Sequence, residues 1–297
     1  MSEHPIDPRR HQPALPLPEG TSRESIVETL CSFSIDGSQA GGLDTYARED
    51  CDRFLYTLSL IPEGKLKVLE VGGNPYFTTY LTRRFRPDAE VTLLNYFGGD
   101  VGVRSQTLVV TGTEPQEHYT FDYLNTNIEV NRLPHKAATF DLVLYCEVIE
   151  HMTHDPIRSL LELKRVLKPG GQLIVTTPNV ARLENVARML SGANVYDPYS
   201  GYGPYGRHNR EYTRHELHHL LRYCGFTEEV FFTADVHENR AGDYFDLSQI
   251  EPLVRPRAFD LGQYLFTRCR NTGPGPQRRP GWLYRSYAEG SLDHSPI

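Results

Sequence analysis

The run Lys67-Val68-Leu69-Glu70-Val71-Gly72-Gly73 constrains this chain more than any other stretch. Val68, Leu69 and Val71 make an apolar run of strand length, and the two glycines end it in a tight turn. A helical pattern follows at 77–85, and a second strand at 91–95. Further strands are expected at 107–111, 140–145 and 172–177. Between the last two, Ile157, Leu160, Leu161, Leu163, Val166 and Leu167 share one helical stripe over 155–167, which Pro169-Gly170-Gly171 closes. Strands alternating with helices build right-handed βαβ units and a mostly parallel sheet. Such a sheet receives ligands beyond the carboxyl ends of its strands. Functional residues are therefore expected just after strands one, two, four and five. Beyond Asn179 the pattern gives a helix at 180–190, a Tyr/Gly/Pro-rich loop at 196–206, a helix at 214–224 closed by Gly225, and strands at 228–234 and 263–269.

The flanks read differently. Residues 1–20 are proline-rich and aperiodic, and are expected to be a mobile tail. Residues 21–64 read as a helical lead-in: Ile26, Leu30 and Phe33 fall at helical spacing, 37–42 is a turn-rich break, and a second helix covers 45–60. The main domain is placed at 65–270, and a second tail at 271–297, where Pro and Gly return. With 31 Lys+Arg against 38 Asp+Glu, the net charge of −7 argues against broad nucleic-acid binding. No apolar stretch approaches the ~20 residues of a membrane span. Residues 1–20 lack the apolar run of a secretory signal. Five cysteines, Cys31, Cys51, Cys146, Cys224 and Cys269, form no C-x-x-C pair, which argues against a disulfide framework or a thiolate zinc site. A cytoplasmic location is expected.

A strand, an acid and glycines ahead of a helix make a turn that nucleotides approach closely. By itself the pattern also describes an ordinary strand–turn–helix, and the dinucleotide signature G-x-G-x-x-G is absent. Three further segments accompany it: F-D-L-V-L-Y-C-E-V-I-E-H at 140–151, L-K-P-G-G-Q-L-I-V-T-T-P-N at 167–179 and C-G-F at 224–226. Together, in this order and spacing, they resemble the class I S-adenosylmethionine-dependent methyltransferases over residues 45–270. The resemblance implies an α/β, Rossmann-like, seven-stranded, mostly parallel sheet with helices on both faces and an antiparallel last strand. It also implies that Glu70 orients the turn receiving the methionine part, and that Gly72 and Gly73 line the cofactor. The family's second and third glycines fall at Asn74 and Tyr76. Asn tolerates positive φ, so Asn74 is expected to stand in, whereas Tyr76 is expected to narrow the pocket. The acid that usually holds the ribose falls at Asn95, an amide that can bond a diol without charge assistance. Asn127 and Glu129 sit where the family recognises adenine, and Cys146 is placed on the cofactor side.

Glu147, Glu150 and His151 lie three and four residues apart, so a helical turn starting there would bring them to one face. Two carboxylates and an imidazole suit a divalent cation; alternatively the segment packs beside the methionine end. E-x-x-E-H is shared by the ubiquinone-pathway O-methyltransferases and the small-RNA 3′-end 2′-O-methyltransferases, which this stretch resembles. The second group adds a later His before an acid-aromatic-Thr/Ser-Arg stretch, here Glu211-Tyr212-Thr213-Arg214 with His208. The implied ligands are Glu147, Glu150, His151 and His208, for Mg²⁺, Mn²⁺ or another divalent metal. His208 and His151 are the implied catalytic histidines, with His154 as a supporting group or base. His218 and His219 read as surface residues.

Tyr196, Tyr199, Tyr202 and Tyr205 offer flat faces with polar tips, suited to sugars and polyols, on a glycine-rich loop able to act as a lid; the same loop could equally pack on the sheet. The arginines an RNA would need, Arg83, Arg84, Arg86, Arg278, Arg279 and Arg285, are scattered along the sequence. The expected function is thus metal-assisted O-methylation of a hydroxyl on a sugar or other polyol by S-adenosylmethionine. A small-molecule or glycan acceptor ranks above nucleic acid. The alternatives are a metal-free O-, N- or C-methyltransferase, an RNA 2′-O-methyltransferase, and a non-catalytic cofactor-binding domain. The oligomeric state stays open.

Overall fold

The computed structural model describes residues 7–36 and 42–294. The expected break at 37–42 therefore lies outside the described residues except for Gly42. The elements run α1 (Arg23–Cys31), β1 (Phe33–Ile35), α2 (Leu43–Leu60), β2 (Leu66–Val71), α3 (Phe77–Phe85), β3 (Ala89–Asn95), β4 (Gly102–Val110) and β5 (Glu117–Asn125). They continue with β6 (Phe140–Cys146), α4 (Pro156–Val166), β7 (Leu167–Pro178), α5 (Leu183–Ser191), α6 (Arg214–Tyr223), β8 (Phe226–Ala234), the short α7 (Glu251–Val254), β9 (Tyr264–Asn271), and the two-residue β10 (Arg279–Pro280) and β11 (Leu292–Asp293).

One sheet carries the fold, in the order β1-β4-β5-β3-β2-β6-β7-β9-β8. The strands β5, β3, β2, β6 and β7 run parallel, and β9 lies antiparallel between β7 and β8. These seven make the mostly parallel, seven-stranded arrangement that the resemblance implies, and six of them lie at strands expected from the sequence. Two more, β4 and β1, extend the edge beyond β5 by antiparallel pairing, so the sheet has nine. The expected strand at 107–111 is the end of β4, and the strand beside β3 is β5, which the sequence reading left unassigned. Its signal was present: Tyr119, Phe121 and Tyr123 alternate with polar residues at the period of two that marks a half-buried strand. The lead-in is helical only in part, because Phe33 belongs to β1.

Helices cover both faces. Leu30, Leu55, Phe77 and Tyr80 from α1, α2 and α3 pack on one face around Leu142 and Ile174. Leu160 and Leu163 of α4 and Leu217 and Leu221 of α6 pack on the other against Val143 and Val175. α4 starts where Asp155 caps the backbone of Arg158 and Pro156 opens the first turn. Residues 235–263, between β8 and β9, form short turns that bury Leu247 and Leu261 against Leu183 and Ala187 of α5.

Both segments read as tails make specific contacts. The Asp235 amide donates to Gln12 Oε1 at 2.8 Å, and the Tyr56 hydroxyl donates to the Pro13 carbonyl at 2.7 Å. At the other end, Arg279 and Tyr284 both bond the Asp155 carboxylate at 2.6 Å. Residues 7–13 are thus tied to α2 and the end of β8, and the C-terminal segment to the start of α4. Among the described residues no helix is long and apolar enough to cross a membrane.

The turn after β2 departs from expectation. Positive φ falls at Gly72 (77°) and Tyr76 (72°), and Asn74 does not take it. Tyr76 is fully buried, stacks on Phe121 with centroids 4.7 Å apart, and donates its hydroxyl to Gln106 Oε1 at 2.5 Å. A large side chain in a left-handed conformation is held there by packing. Replacing Tyr76 with Ala is expected to lower the unfolding free energy in urea by about 3–5 kcal/mol, and with Phe by only about 1 kcal/mol.

Candidate active site

The carboxyl ends of β2, β3, β5 and β6 open onto two hollows of about 330 and 220 Å³. They share a wall made by Val71, Gly72, Asn74, Glu147 and His151. Gly72 is required there: its φ is left-handed, and a Cβ would stand 2.8 Å from Val148. Its amide donates to the Leu94 carbonyl at 2.7 Å, tying the turn to β3. Gly73 lies alongside in the larger hollow. Tyr76 lines neither hollow, because its ring turns under β4 and β5; the expected narrowing does not occur. Glu70 is buried beneath the turn and accepts a hydrogen bond from Thr79 Oγ1 at 2.7 Å. Burial pushes its carboxyl up to about 7.

The smaller hollow is flanked by Asn95, Tyr96, Phe97, Asn127, Ile128, Met152 and Tyr205. Asn95 reaches it but spends its side chain on the turn. Its Oδ1 accepts from the Asn74 amide at 3.1 Å, its Nδ2 faces the Tyr76 hydroxyl at 3.4 Å, and the residue is 2% exposed. Asn127 turns its Oδ1 back onto the Glu129 amide at 2.9 Å. Glu129, expected at the adenine, points away from the hollow. Its carboxylate takes the Asp155 amide at 2.8 Å, the His154 amide, Thr153 Oγ1 at 2.8 Å and the Tyr205 hydroxyl at 2.9 Å. Burial would raise this carboxyl, but those donors hold it down at about 2. Tyr205 is thereby fixed edge-on to Tyr96, centroids 5.4 Å apart, as one wall of the hollow. The other loop tyrosines, Tyr196, Tyr199 and Tyr202, stand more than four-fifths exposed (82%, 92% and 94%).

The larger hollow holds the E-x-x-E-H segment. β6 ends at Cys146, which faces this hollow with its thiol raised by burial. Glu147 has φ 53°, and a single 3₁₀ turn follows at Ile149–His151. Both acids line this hollow, each with its own partners. Glu147 accepts from Thr176 Oγ1 at 2.8 Å and lies 3.8 Å from Arg53 Nη1. Glu150 is fully buried; its Oε2 accepts from Thr177 Oγ1 at 2.9 Å, and its Oε1 has no hydrogen-bond partner among the described residues, with His151 Nε2 4.0 Å away. The loop carrying His208 is clamped to this turn by its backbone: the amides of Asn209 and Arg210 donate to the Glu150 carbonyl at 2.8 and 3.1 Å. His151 Nδ1 meets the Arg207 carbonyl at 2.9 Å, and His208 Nδ1 meets Glu211 Oε1 at 3.0 Å, which leaves both Nε2 atoms without a hydrogen bond among the described residues.

One ligand atom each from Glu150, His151 and His208 lie within 4.8 Å of one another, the one such three-residue group among the described residues. Glu147 is not part of it. His154 is 79% exposed at its side chain, beside Glu129, and lines neither hollow. Burial and the charge of Glu147 push the Glu150 carboxyl up to about 8. Burial alone would lower His208, but the Glu211 hydrogen bond and the charge of Glu150 raise it to about 9. His151 is lowered by burial.

Four residues that the sequence reading passed over complete this hollow. Tyr46, Asp50 and Arg53 come from α2, and Tyr264 from β9. Arg53 is buried, with its Nε on Asp50 at 2.8 Å and its Nη2 on the Tyr46 hydroxyl at 2.5 Å. A Tyr, an Asp and an Arg at 46, 50 and 53 share one face of a helix, but only a charged residue inside an otherwise apolar stripe marked that face.

The sequence profile of the methyltransferase domain family matches residues 43–229, more than half of the chain. The chain belongs to that family, the class I S-adenosylmethionine-dependent methyltransferases. It is 33% identical over 120 residues to a ubiquinone biosynthesis O-methyltransferase of Cereibacter sphaeroides, covering 40% of this chain and 44% of the relative. It is 28% identical over 216 residues to a ubiquinone/menaquinone biosynthesis C-methyltransferase of Ectopseudomonas mendocina, covering 65% and 74%. Among solved structures, an S-adenosylmethionine-dependent methyltransferase of Mesorhizobium loti aligns with a TM-score of 0.42 at 15% identity, over 75% of this chain and 97% of that one. The chain spans less than half the length of the first of these relatives.

The residues present fit S-adenosylmethionine. The glycine turn leaves backbone open to a ligand, and the flat apolar walls of the smaller hollow suit an adenine ring. Glu70 has its own consequence for stability. Its folded pKa lies above the ordinary value, so the folded state binds the extra proton and stability falls as pH rises between about 4.5 and 7. Without ligand, the wild type is expected to lose roughly 3 kcal/mol across that interval relative to Glu70→Gln, as read by chemical denaturation at each pH.

Proposed function

We propose that this protein transfers a methyl group from S-adenosylmethionine to a hydroxyl oxygen of a sugar or related polyol, with a divalent cation held by Glu150, His151 and His208. One observation carries this proposal. Glu150 keeps a buried carboxyl oxygen without a hydrogen bond, 4.0 Å from His151 Nε2, beside two imidazoles whose Nδ1 atoms are already engaged and whose Nε2 atoms make no hydrogen bond among the described residues. Burying such an oxygen unpaired is costly, and a cation with mixed oxygen and nitrogen ligands would relieve that cost. The Glu211 carboxylate behind His208 and the Arg207 carbonyl behind His151 orient both rings in the way that supports metal-binding histidines.

S-Adenosylmethionine, when bound, supplies an electrophilic sulfonium methyl. A divalent cation, when bound, supplies charge that lowers the pKa of an alcohol. The chain's own residues do the rest. Gly72 and Gly73 let the backbone close on the cofactor, and Glu70 sits beneath them. Tyr205, anchored by Glu129, closes the adenine side and keeps water out. Arg53, whose Nη1 has only the 3.8 Å contact to Glu147, is placed to meet the methionine carboxylate. The acceptor hydroxyl enters the larger hollow, which Tyr46 and Tyr264 also line while packing against Arg53. Positioning for in-line attack supplies most of the rate.

A metal-free mechanism is favoured by one observation: His151 has its pKa lowered by burial, is neutral near pH 7, and presents Nε2 as a base to the same hollow. There the acceptor proton passes to His151 Nε2, while cationic His208 offsets Glu150. Glu150→Gln with chelation separates the two. Under the metal proposal, both treatments leave S-adenosylhomocysteine binding intact and reduce methyl transfer at least roughly a hundredfold. Methyl transfer unchanged after rigorous chelation would rule the cation out. A Mn²⁺ titration with S-adenosylhomocysteine present, read by electron paramagnetic resonance, is expected to show one site in the wild type and none in His208→Ala.

A further inference from the structure

We propose that a second hollow, between α4 and the C-terminal segment, binds a small phosphate monoester with a flat apolar body. This groove has a volume of about 640 Å³ and shares no lining residue with either hollow of the active site. That volume falls in the range of nucleotide-sized ligand sites. Its floor is apolar, built from Ile157 and Leu161 of α4 and Pro276 of the C-terminal segment. Its rim carries Arg132, Arg158 and Arg278.

The balance of charge there is cationic because the acids that reach the groove are already engaged. Asp155 is held by Arg279, through Nε at 2.9 Å and Nη2 at 2.6 Å, and by the Tyr284 hydroxyl. Glu162 is held by Arg165 at 2.6 Å and by the Leu133 amide at 2.6 Å. Among the described residues, no side-chain hydrogen bond or ion pair engages the guanidinium of Arg132 or Arg278. Arg158 spends a single nitrogen, on the Val130 carbonyl at 2.6 Å. Three exposed guanidinium groups with donors to spare thus line one groove in a protein whose net charge is −7.

Guanidinium groups pair with phosphate oxygens through two parallel hydrogen bonds, and a dianionic phosphate answers several at once. The apolar floor adds a requirement that inorganic phosphate does not meet: Ile157, Leu161 and Pro276 need a ring or comparable flat group against them. The groove exists only because the C-terminal segment is fastened across α4 by the Asp155 contacts, so neither wall alone forms the site.

The test is isothermal titration of 1-naphthyl phosphate into the full-length protein saturated with S-adenosylhomocysteine, which fills the active-site hollows. One saturable site is expected. Binding should weaken at least tenfold, about 1.4 kcal/mol, in R132Q/R278Q. It should stay unchanged in R240Q/R257Q, which alters two exposed arginines elsewhere on the surface. Inorganic phosphate should bind at least tenfold more weakly than the naphthyl ester. Arg132 and Arg278 are exposed, so a thermal melt confirms that the variant is folded. No saturable binding, equal binding by R132Q/R278Q, or inorganic phosphate binding as tightly as the ester would each overturn the proposal.

Discussion

A carboxylate shut away from water sets the terms of the candidate active site. Glu150 is fully buried, Thr177 answers one of its oxygens, and the other is left facing two imidazoles. An isolated charge in such a place costs several kcal/mol unless something compensates it. The surrounding structure supplies the compensation in layers. Burial and Glu147 raise Glu150 toward the protonated form, His208 is raised toward its cationic form, and Glu211 with Arg182 braces His208 from behind. The geometry that keeps His208 in reach is made by the backbone: the Glu150 carbonyl receives two amides from the His208 loop. The residue that needs a counter-charge therefore also fastens the segment that brings one.

A second buried carboxylate does the mechanical counterpart. Glu129 is held at low pKa by donors from two segments: Thr153, His154 and Asp155 in the turn before α4, and the tyrosine of the loop. It joins the adenine-side hollow to the start of α4, and Asp155 at that start joins α4 to the C-terminal segment. The cofactor hollow and the arginine-rimmed groove are thus two sides of one hydrogen-bonded wall. The ionised state of Glu129 persists because its oxygens are bonded by amides and hydroxyls, which favour charge despite burial.

Much of this was legible in the sequence, for local reasons. A strand of Val68, Leu69 and Val71 ended by glycines, the stripe over α4 and its Pro-Gly-Gly stop are short-range signals, and each element formed close to where its pattern lay. The misses have physical causes as well. β5 alternates apolar with polar residues and so carries no continuous apolar run, and β1 is only three residues long. Glu147 was expected as a fourth ligand, but it lies outside the group of Glu150, His151 and His208 and meets Thr176 and Arg53. Arg53 itself reads in sequence as one more charge on a helix.

The sequence by itself determined the alternation of strands and helices, the glycine turn between the two hollows, and the residue types that meet in the larger one. These depend on backbone propensity and on hydrophobic period, which neighbouring residues impose on one another. Only the tertiary structure decided what each polar side chain bonds. Asn95 braces the turn, Tyr76 turns inward, and Glu129 serves as an anchor. His151 and Arg207, 56 positions apart, become partners. A buried donor or acceptor must find a mate among whatever the fold brings close, and those mates come from segments whose separation along the chain leaves no trace in local pattern.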